Sequence, residues 1–576
     1  RSRPTPGQPE YRHTPGVEAT TGPLGHGNSN AVGMAIAEKA LAARFNRPGH
    51  SVVDHYTYAI CSDGDLMEGV SGEAASLAGH LGLGKLIALY DDNHISIDGR
   101  TDIAFTEDRL ARFKAYGWHV SQVDDGTDIL AIEQAIEAAR AETTSPSFIA
   151  IRTYIGHGSP NKQDSPSAHG EPLGVDEVRL TKEAAGWRRD PAFYVPPEAL
   201  THFRKLLDRG RKWHGQWRER FEAYRAEHPD LAGEFERRMA RELPVGWSGR
   251  LPVFTVADGA MATREAGGKV MNALAEALPE LMGGSADLSP STKTLLVGSP
   301  DFSAATPAGR NIRFGVREHA MGAIVNGMAY HGGFIPYGST FLIFSDYMRP
   351  PIRLAALSHL HVVHVFTHDS VALGEDGPTH QPVEHLLALR AIPNTLVLRP
   401  ADPNETSASW QIALEHRSGP VMIALTRQKV PTLDPAEYPQ VAEGALRGGY
   451  TLKDAEASAD IILLATGSEV HVALAAAAEL SRDGVGVRVV SMMCEEIFVA
   501  QPEEYRASVL PEGVPLVVVE AGTTLGWRTY LGDGPTVVGI DRFGASAPGD
   551  VVMERLGITA EAVVSAAYRT LGRSAL

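Results

Sequence analysis

Ser62-Asp63-Gly64 and, further on, Asp91-Asp92-Asn93-His94-Ile95 each stand directly after a short apolar run, Tyr56–Ile60 and Leu86–Tyr90. If those runs are neighbouring strands of a parallel sheet, their carboxyl ends bring Asp63 and Asn93 to one crevice, where such sheets hold ligands. A carboxylate, an amide oxygen and the backbone carbonyl near Ile95 are hard oxygen donors suited to Mg2+ or Ca2+ holding a diphosphate. The same residue types also make ordinary strand-end turns. Upstream, Thr20-Thr21-Gly22-Pro23-Leu24-Gly25-His26-Gly27 leads into a helical pattern near Asn30, a glycine turn whose backbone can approach a phosphate closely.

A second group lies past the middle of the chain. Gly315-Val316-Arg317-Glu318-His319 precedes a helical pattern, followed by Phe341, Phe344 and Tyr347, whose spacing of three predicts one side of a helical turn. Those rings are either core or the wall of a pocket. Beside such a pocket a glutamate has its neutral form favoured, and can exchange a proton with a ring nitrogen of a bound heterocycle. Phe366-Thr367-His368-Asp369-Ser370 then runs into Gly374-Glu375-Asp376-Gly377-Pro378-Thr379-His380-Gln381-Pro382. Two histidines, three carboxylates and glycines at a strand's carboxyl end are a solvated loop or a site.

The elements that must position these residues alternate. Tyr56–Ile60, Leu86–Tyr90, Trp118–Val123 and Phe148–Ile151 read as strands, with a helix over Ile129–Ala141. A second block, from about Phe254 to Arg427, has strand candidates Val362–Thr367, Thr395–Arg399 and Met422–Thr426. A third, from about Arg447 onward, has Ile461–Thr466, Val487–Ser491 and Leu516–Glu520. This rhythm predicts parallel sheets wrapped by helices. Between the first two blocks, Pro196 to Leu243 interleaves Arg, Glu, His and Trp on a helical pattern and reads as a surface linker.

The 576 residues predict several domains. Lys and Arg number 53 against 70 Asp and Glu, a formal charge of -17, which argues against nonspecific nucleic-acid binding and an anionic membrane as partner. Two cysteines, Cys61 and Cys494, exclude a disulfide framework and fit a reducing cytoplasm. The longest uncharged stretch, Met321 to Ser345, is broken by His331-Gly332-Gly333, Pro336 and Gly338, and does not read as a membrane span. No G-x-G-x-x-G follows a first strand, which speaks against a dinucleotide-binding oxidoreductase. The opening Arg1-Ser-Arg-Pro-Thr-Pro-Gly7 has neither an apolar signal core nor an initiator methionine, as in a chain entered partway.

Together, the run Gly374–Pro382, the segment Gly315–His319, Ser62–Gly64 with Asn93, and Thr21–Gly27 resemble the signatures of the transketolase family, in the family's order over nearly the whole chain. The resemblance implies an α/β chain of three consecutive domains, each a mainly parallel sheet flanked by helices. These are a pyrophosphate-binding domain over 1–190 lacking its N-terminal part, a helical linker over 191–250, a pyrimidine-binding domain over 251–430 and a C-terminal domain over 431–576. It also implies thiamine diphosphate with Mg2+ or Ca2+, and a homodimer whose active sites lie at the subunit interface. The activity implied is that of a cytoplasmic, pentose phosphate pathway enzyme. It reversibly transfers a two-carbon ketol unit from a ketose phosphate, xylulose 5-phosphate or sedoheptulose 7-phosphate, to an aldose phosphate. A dihydroxyacetone synthase-like enzyme shares most of these motifs, and acceptor assays separate the two. A catalytically silent transketolase-like binding protein is the reading against which Asp63, Asn93, Glu318 and His380 speak.

By the same resemblance, Asp63, Asn93 and the Ile95 carbonyl hold the divalent ion, while Gly22, Leu24, Gly64 and Asn93 contact the cofactor. Glu318 holds N1′ of the aminopyrimidine, Phe341, Phe344 and Tyr347 enclose that ring, and Asp287 lies nearby. Glu68 is similar to the glutamate that links the family's two cofactor sites, or is only a helix N-terminal acid. His380 and His169 match catalytic or substrate-contacting histidines, and Asp376 matches the carboxylate on the donor's C2 hydroxyl. Arg264, Ser291, His368 and Arg427 match the ligands of the sugar phosphate, for which arginine's planar fork is suited. Three positions depart from the pattern: Gln8 stands for a substrate-contacting histidine, Ser62 for a glycine and His26 for a glutamine. The family's N-terminal segment, with two further active-site histidines, precedes anything present in this sequence.

Overall fold

The computed structural model describes residues 7–531 and 534–573. The opening run Arg1 to Pro6 lies outside the described residues. Two compact units form: Arg1–Glu242 with Phe302–Gly309 and Tyr330–Gly333, and Leu243–Asp301 with Arg310–Ala329 and Phe334–Leu576.

In the first unit, β1 (Thr57–Ser62), β2 (Leu86–Asp92), β3 (His119–Val123) and β4 (Ser147–Arg152) make an all-parallel sheet in the order β1-β2-β4-β3. These are the four apolar runs of the sequence, with ends displaced by at most two residues. The helix Ile129–Ala141 stands where its spacing predicts; the Asp128 carboxylate accepts the Ala131 N–H at 3.0 Å and caps it. Its apolar side, Ile132, Ala135, Ile136 and Ala139, packs on Ile87, Val123, Ile149 and Ile151. The helix expected near Asn30 starts earlier, at His26, and runs to Phe45. The stretch from Pro196 to Leu243 contains two helices, Pro197–Glu227 and Pro229–Met239, each with proline in its first turn, where a missing N–H is tolerated.

In the second unit, β5 (Met261–Ala262) pairs antiparallel with β12 (Lys429–Val430). Between them in the chain, β6 (Leu281–Ser285), β7 (Asn311–Arg313), β8 (Ile335–Phe341), β9 (Val363–Thr367), β10 (Leu396–Leu398) and β11 (Val421–Leu425) form a parallel sheet in the order β10-β11-β9-β8-β6-β7. The third sheet joins β13 (Gly449–Lys453), β14 (Ile461–Ala465), β15 (Val487–Met492), β16 (Leu516–Val519) and β17 (Thr536–Val538) in the order β13-β15-β14-β16-β17. Only its edge strand β13 is antiparallel. One apolar core runs from Val365, Leu398 and Leu425 of the second sheet to Leu463, Val489 and Val519 of the third.

The uncharged stretch from Met321 to Ser345 divides into the helix Glu318–His331, a Gly332-Gly333 turn and the buried strand β8. Among the described residues no helix is long and apolar enough to cross a membrane.

Candidate active site

β1 and β2 are parallel neighbours with Ser62 opposite Asp91, so Asp63 and Asn93 leave the sheet side by side. Asp63 is 1% exposed; one carboxylate oxygen accepts the Tyr90 hydroxyl at 2.6 Å and the other the His94 N–H at 3.1 Å. Asn93 Oδ1 accepts the Ile95 N–H at 2.9 Å, and its Nδ2 donates to Asp91 at 3.1 Å. Burial, and then neighbouring Asp92, raise the Asp63 pKa. Asp63, Asp91 and Asp92 thus crowd two strand ends, where Arg109 and His94 both pair with Asp92. Excess negative charge on hard oxygens is the donor set of a hard divalent cation, and these residues fit one.

The glycine turn meets this group. The Gly25 N–H donates to Asp65 Oδ1 at 2.8 Å, and a side chain on Gly64 would lie 2.9 Å from Leu24 Cδ1. Gly25 has φ +77°, and a Cβ there would touch Ser71, Val70 and Glu68 within 3.0 Å, so only glycine lets the turn close on the Glu68 segment. Gln8 Nε2 lies 3.2 Å from where a Gly22 Cβ would stand. Gly22, Leu24, Gly64 and Glu68 therefore lie in one neighbourhood with Asp63, at the start of the helix His26–Phe45, and the positive end of a helix favours phosphate. His169 follows the turn Pro166–Ala168; its Nδ1 is buried without a partner, and no hydrogen bond or ring contact joins it to the Asp63 group.

In the second unit Glu318 is the first residue of its helix and is 9% exposed. Burial raises its pKa, and Thr340 Oγ1 donates to Oε1 at 3.4 Å. Thr340 precedes Phe341, which brings the carboxyl to the aromatic residues. These do not lie on one helical turn as expected: Phe341 ends β8, Phe344 closes the 3-10 turn Leu342–Phe344, and Tyr347 opens the helix Ser345–Leu357. A turn between strand and helix replaces the regular spacing, yet the rings still meet. Phe341 and Phe344 are 5.9 Å apart, Phe344 and Tyr347 6.1 Å. The two histidines join them, His368 at 4.6 Å from Phe341 and His380 at 5.4 Å from Phe344.

Arg264 and Arg427 come from opposite ends of this region of the chain and meet through their neighbours. Thr263 and Thr426 exchange hydrogen bonds, and β5 pairs with β12 beside them. Arg264 Nη1 donates to Ser291 Oγ at 3.0 Å and to its carbonyl at 3.1 Å, while Arg427 donates to the Leu373 carbonyl. Arg264 Nε and His368 Nδ1 are buried without partners. Burial first, then the charges of Arg264, Arg427 and His380, push His368 down to about 3. Asp287, with φ +62° after β6, and Asp376 are exposed and joined to this cluster by no hydrogen bond.

The sequence reading missed Tyr90, which holds Asp63, Thr340, which contacts Glu318, and the Thr263–Thr426 pair. A signal existed for the last: Thr-Arg occurs both at 263–264 and at 426–427.

The family profiles that match this chain put it in the class of thiamine diphosphate enzymes. Three family profiles match in order: transketolase, thiamine diphosphate binding domain, over residues 2–244; transketolase, pyrimidine binding domain, over 259–432; and transketolase-like C-terminal domain, over 448–559. The transketolase of Geobacillus stearothermophilus is 52% identical over 573 residues, 99% of this chain and 85% of that protein. A transketolase structure from Leishmania mexicana superposes with TM-score 0.95 at 46% identity, covering 99% of this chain and 83% of that one. One from Pichia stipitis gives the same score and identity over 99% and 84%. The chain belongs to the transketolase family, and its activity is the family's thiamine diphosphate-dependent ketol transfer. Neither a silent binding protein nor a dihydroxyacetone synthase-like enzyme is favoured by these matches.

Proposed function

We propose that this chain carries a two-carbon ketol unit reversibly between a ketose phosphate, such as xylulose 5-phosphate or sedoheptulose 7-phosphate, and an aldose phosphate in the pentose phosphate pathway. The observation that carries this reading is the union of two chemistries within one unit: the anion-seeking pair Arg264 and Arg427 with His368, and, 4.6 Å from His368, the Phe341 ring of the aromatic group beside Glu318. The related Pichia stipitis enzyme was solved with sedoheptulose 7-phosphate.

Asp63, Asn93 and the Ile95 carbonyl would hold Mg2+ or Ca2+, with Gly22, Leu24, Gly64 and Glu68 along the diphosphate. When bound, thiamine diphosphate supplies the electron sink that stabilises a carbanion. Glu318, whose neutral form burial favours, would share a proton with N1′ of the aminopyrimidine, and Phe341, Phe344 and Tyr347, with Asp287 near, would exclude water from that ring. His380 and His169 serve the reacting oxygens, Asp376 accepts from a hydroxyl of the sugar, and Arg264, Ser291, His368 and Arg427 bind the phosphate. A site built to bond a hydroxyl discriminates against analogues lacking it.

We further propose a homodimer in which the first unit's half-site completes the second unit's half-site of the other subunit. Both cysteines are free and buried, in keeping with a reducing cytoplasm. Divisions near 190, 250 and 430 separate the three sheets and leave the helices Pro197–Glu227 and Pro229–Met239 as the linker.

The test compares donors. Arg264→Ala and Arg427→Ala should each lose about 10- to 100-fold in kcat/KM for xylulose 5-phosphate, the worth of one charge-assisted contact. Hydroxypyruvate, which carries no phosphate, should be nearly unaffected. Equal losses on both donors would remove the phosphate assignment.

A further inference from the structure

Open α/β sheets bind ligands beyond the carboxyl ends of their parallel strands. At those ends of β14 and β16 in the third sheet stands a protein side chain instead. Arg399, just past β10 of the second sheet, is wholly buried there. Its Nη1 donates to Thr466 Oγ1 at 2.8 Å and to the Glu469 carboxylate. Its carbonyl accepts the Gly467 N–H at 3.1 Å, and its own N–H donates to the Met493 carbonyl at 2.9 Å. Gly467 has φ +53°, and a Cβ there would lie 2.8 Å from Arg399 Nε, so the turn after β14 is shaped to this arginine.

The other edge of the same guanidinium points back to the second sheet. Nε at 3.0 Å and Nη2 at 2.8 Å both donate to Asp369 Oδ2. Asp369 is 1% exposed and directly follows His368. Further along, Ser546 Oγ donates to the Glu375 carbonyl at 2.6 Å, and Gln381 Nε2 donates to the carbonyls of Ala545 and Gly374, each at 2.9 Å. The segment from His368 to Gln381 is thus pinned to the third sheet's side at its root and near its tip.

We propose that Arg399 and Asp369 are positioning residues for the phosphate end of the substrate: the crevice of the third sheet is a socket for Arg399, and through Asp369 it holds His368 where the phosphate meets Arg264 and Arg427. This rests on the phosphate reading of His368 given above. Buried ion pairs contribute little net stability compared with a well-packed apolar replacement. What a guanidinium fork supplies is direction, which a lysine of equal charge does not.

The experiment uses the full-length holoenzyme with xylulose 5-phosphate and hydroxypyruvate as alternative donors, alongside cofactor affinity and melting temperature. Asp369→Ala should raise KM for xylulose 5-phosphate about tenfold or more, the scale of a small misplacement of a binding group, while kinetics on hydroxypyruvate and cofactor affinity stay within about threefold. Asp369→Asn, which still accepts from the fork, should restore most of the loss. Arg399→Lys should resemble Asp369→Ala, and decides the matter if Asp369→Ala does not fold. Unchanged KM in Asp369→Ala or Arg399→Lys, or equal losses on both donors, overturns the positioning role. His368→Ala separates the two claims: if it leaves the KM for xylulose 5-phosphate unchanged, the phosphate reading itself fails. If it raises that KM and Asp369→Ala does not, only the positioning role fails.

Discussion

Thr263 and Thr426 hold each other by reciprocal hydrogen bonds: the Thr263 N–H donates to Thr426 Oγ1 at 2.9 Å, and the Thr426 N–H donates to Thr263 Oγ1 at 2.7 Å. Both residues are fully buried, so neither bond competes with water, and each fixes the residue that follows it. Those followers are Arg264 and Arg427. The antiparallel bridge of β5 with β12 extends the same junction by two residue pairs, Ala262 with Lys429 and Met261 with Val430.

Thr426→Val keeps the branched shape but removes the hydroxyl, leaving the Thr263 N–H unpaired at a cost of about 1–3 kcal/mol. The arginine pair should then lose registry, and inorganic phosphate, as a competitive inhibitor against xylulose 5-phosphate, should bind several-fold more weakly. An inhibition constant equal to that of the unaltered enzyme would show that the junction does not set the anion site.

Glu318→Gln should still bind thiamine diphosphate, since the buried side chain keeps its volume and its contact with Thr340. The amide cannot share a proton with a ring nitrogen as a carboxyl does, so deuterium exchange at the cofactor's C2 should slow by about 100-fold or more, the usual worth of a positioned acid or base. Exchange at the unaltered rate would take Glu318 out of that role.

How far the sequence reaches is clear from the elements around these residues. Strands with continuous apolar runs, such as Leu86–Asp92 and Ile461–Ala465, are legible because burial on both faces of a parallel sheet selects such runs. β6 was not legible: its Leu-Met-Gly-Gly-Ser has two glycines that weaken any strand pattern, and they are required because side chains there would run into the Tyr337 and Ile312 carbonyls. β8 was hidden by Pro336 and Gly338 in the same way. The candidate site residues were read through family motifs. Partners such as Tyr90 and Thr340 were not, because each looks like an ordinary strand residue until the opposing element is in place.

Asp63→Asn tests the first half-site. The variant keeps the volume between Tyr90 and His94 but removes the charge that a divalent ion needs. Calorimetric binding of thiamine diphosphate in Mg2+ should weaken by about 10- to 100-fold, in line with the loss of one charged ligand, with circular dichroism unchanged. Affinity equal to the parent's, or equal with and without metal in the parent, would remove Asp63 from the ion site.

His364 offers a test of the core. It lies on β9 at 0% exposure, and neither ring nitrogen has a hydrogen-bond partner. Burial alone pushes its pKa down to about 4, while in the unfolded chain the imidazole titrates near 6.5. The sign follows from which state binds the proton. Above about pH 6.5 both states are neutral and His364 makes stability no more pH-dependent; as pH falls from about 6.5 to 4, the unfolded chain takes up a proton that the folded one refuses, and about 3 kcal/mol of stability is lost. His364→Leu removes that loss, and removes the unpaired nitrogens as well. In chemical denaturation between pH 7.5 and 4.5, chosen here to bracket the titration, the advantage of the variant should be constant above about pH 6.5 and widen steadily below it. A difference that stays constant across the whole range would mean that His364 carries its proton, or a partner for it, inside the folded protein.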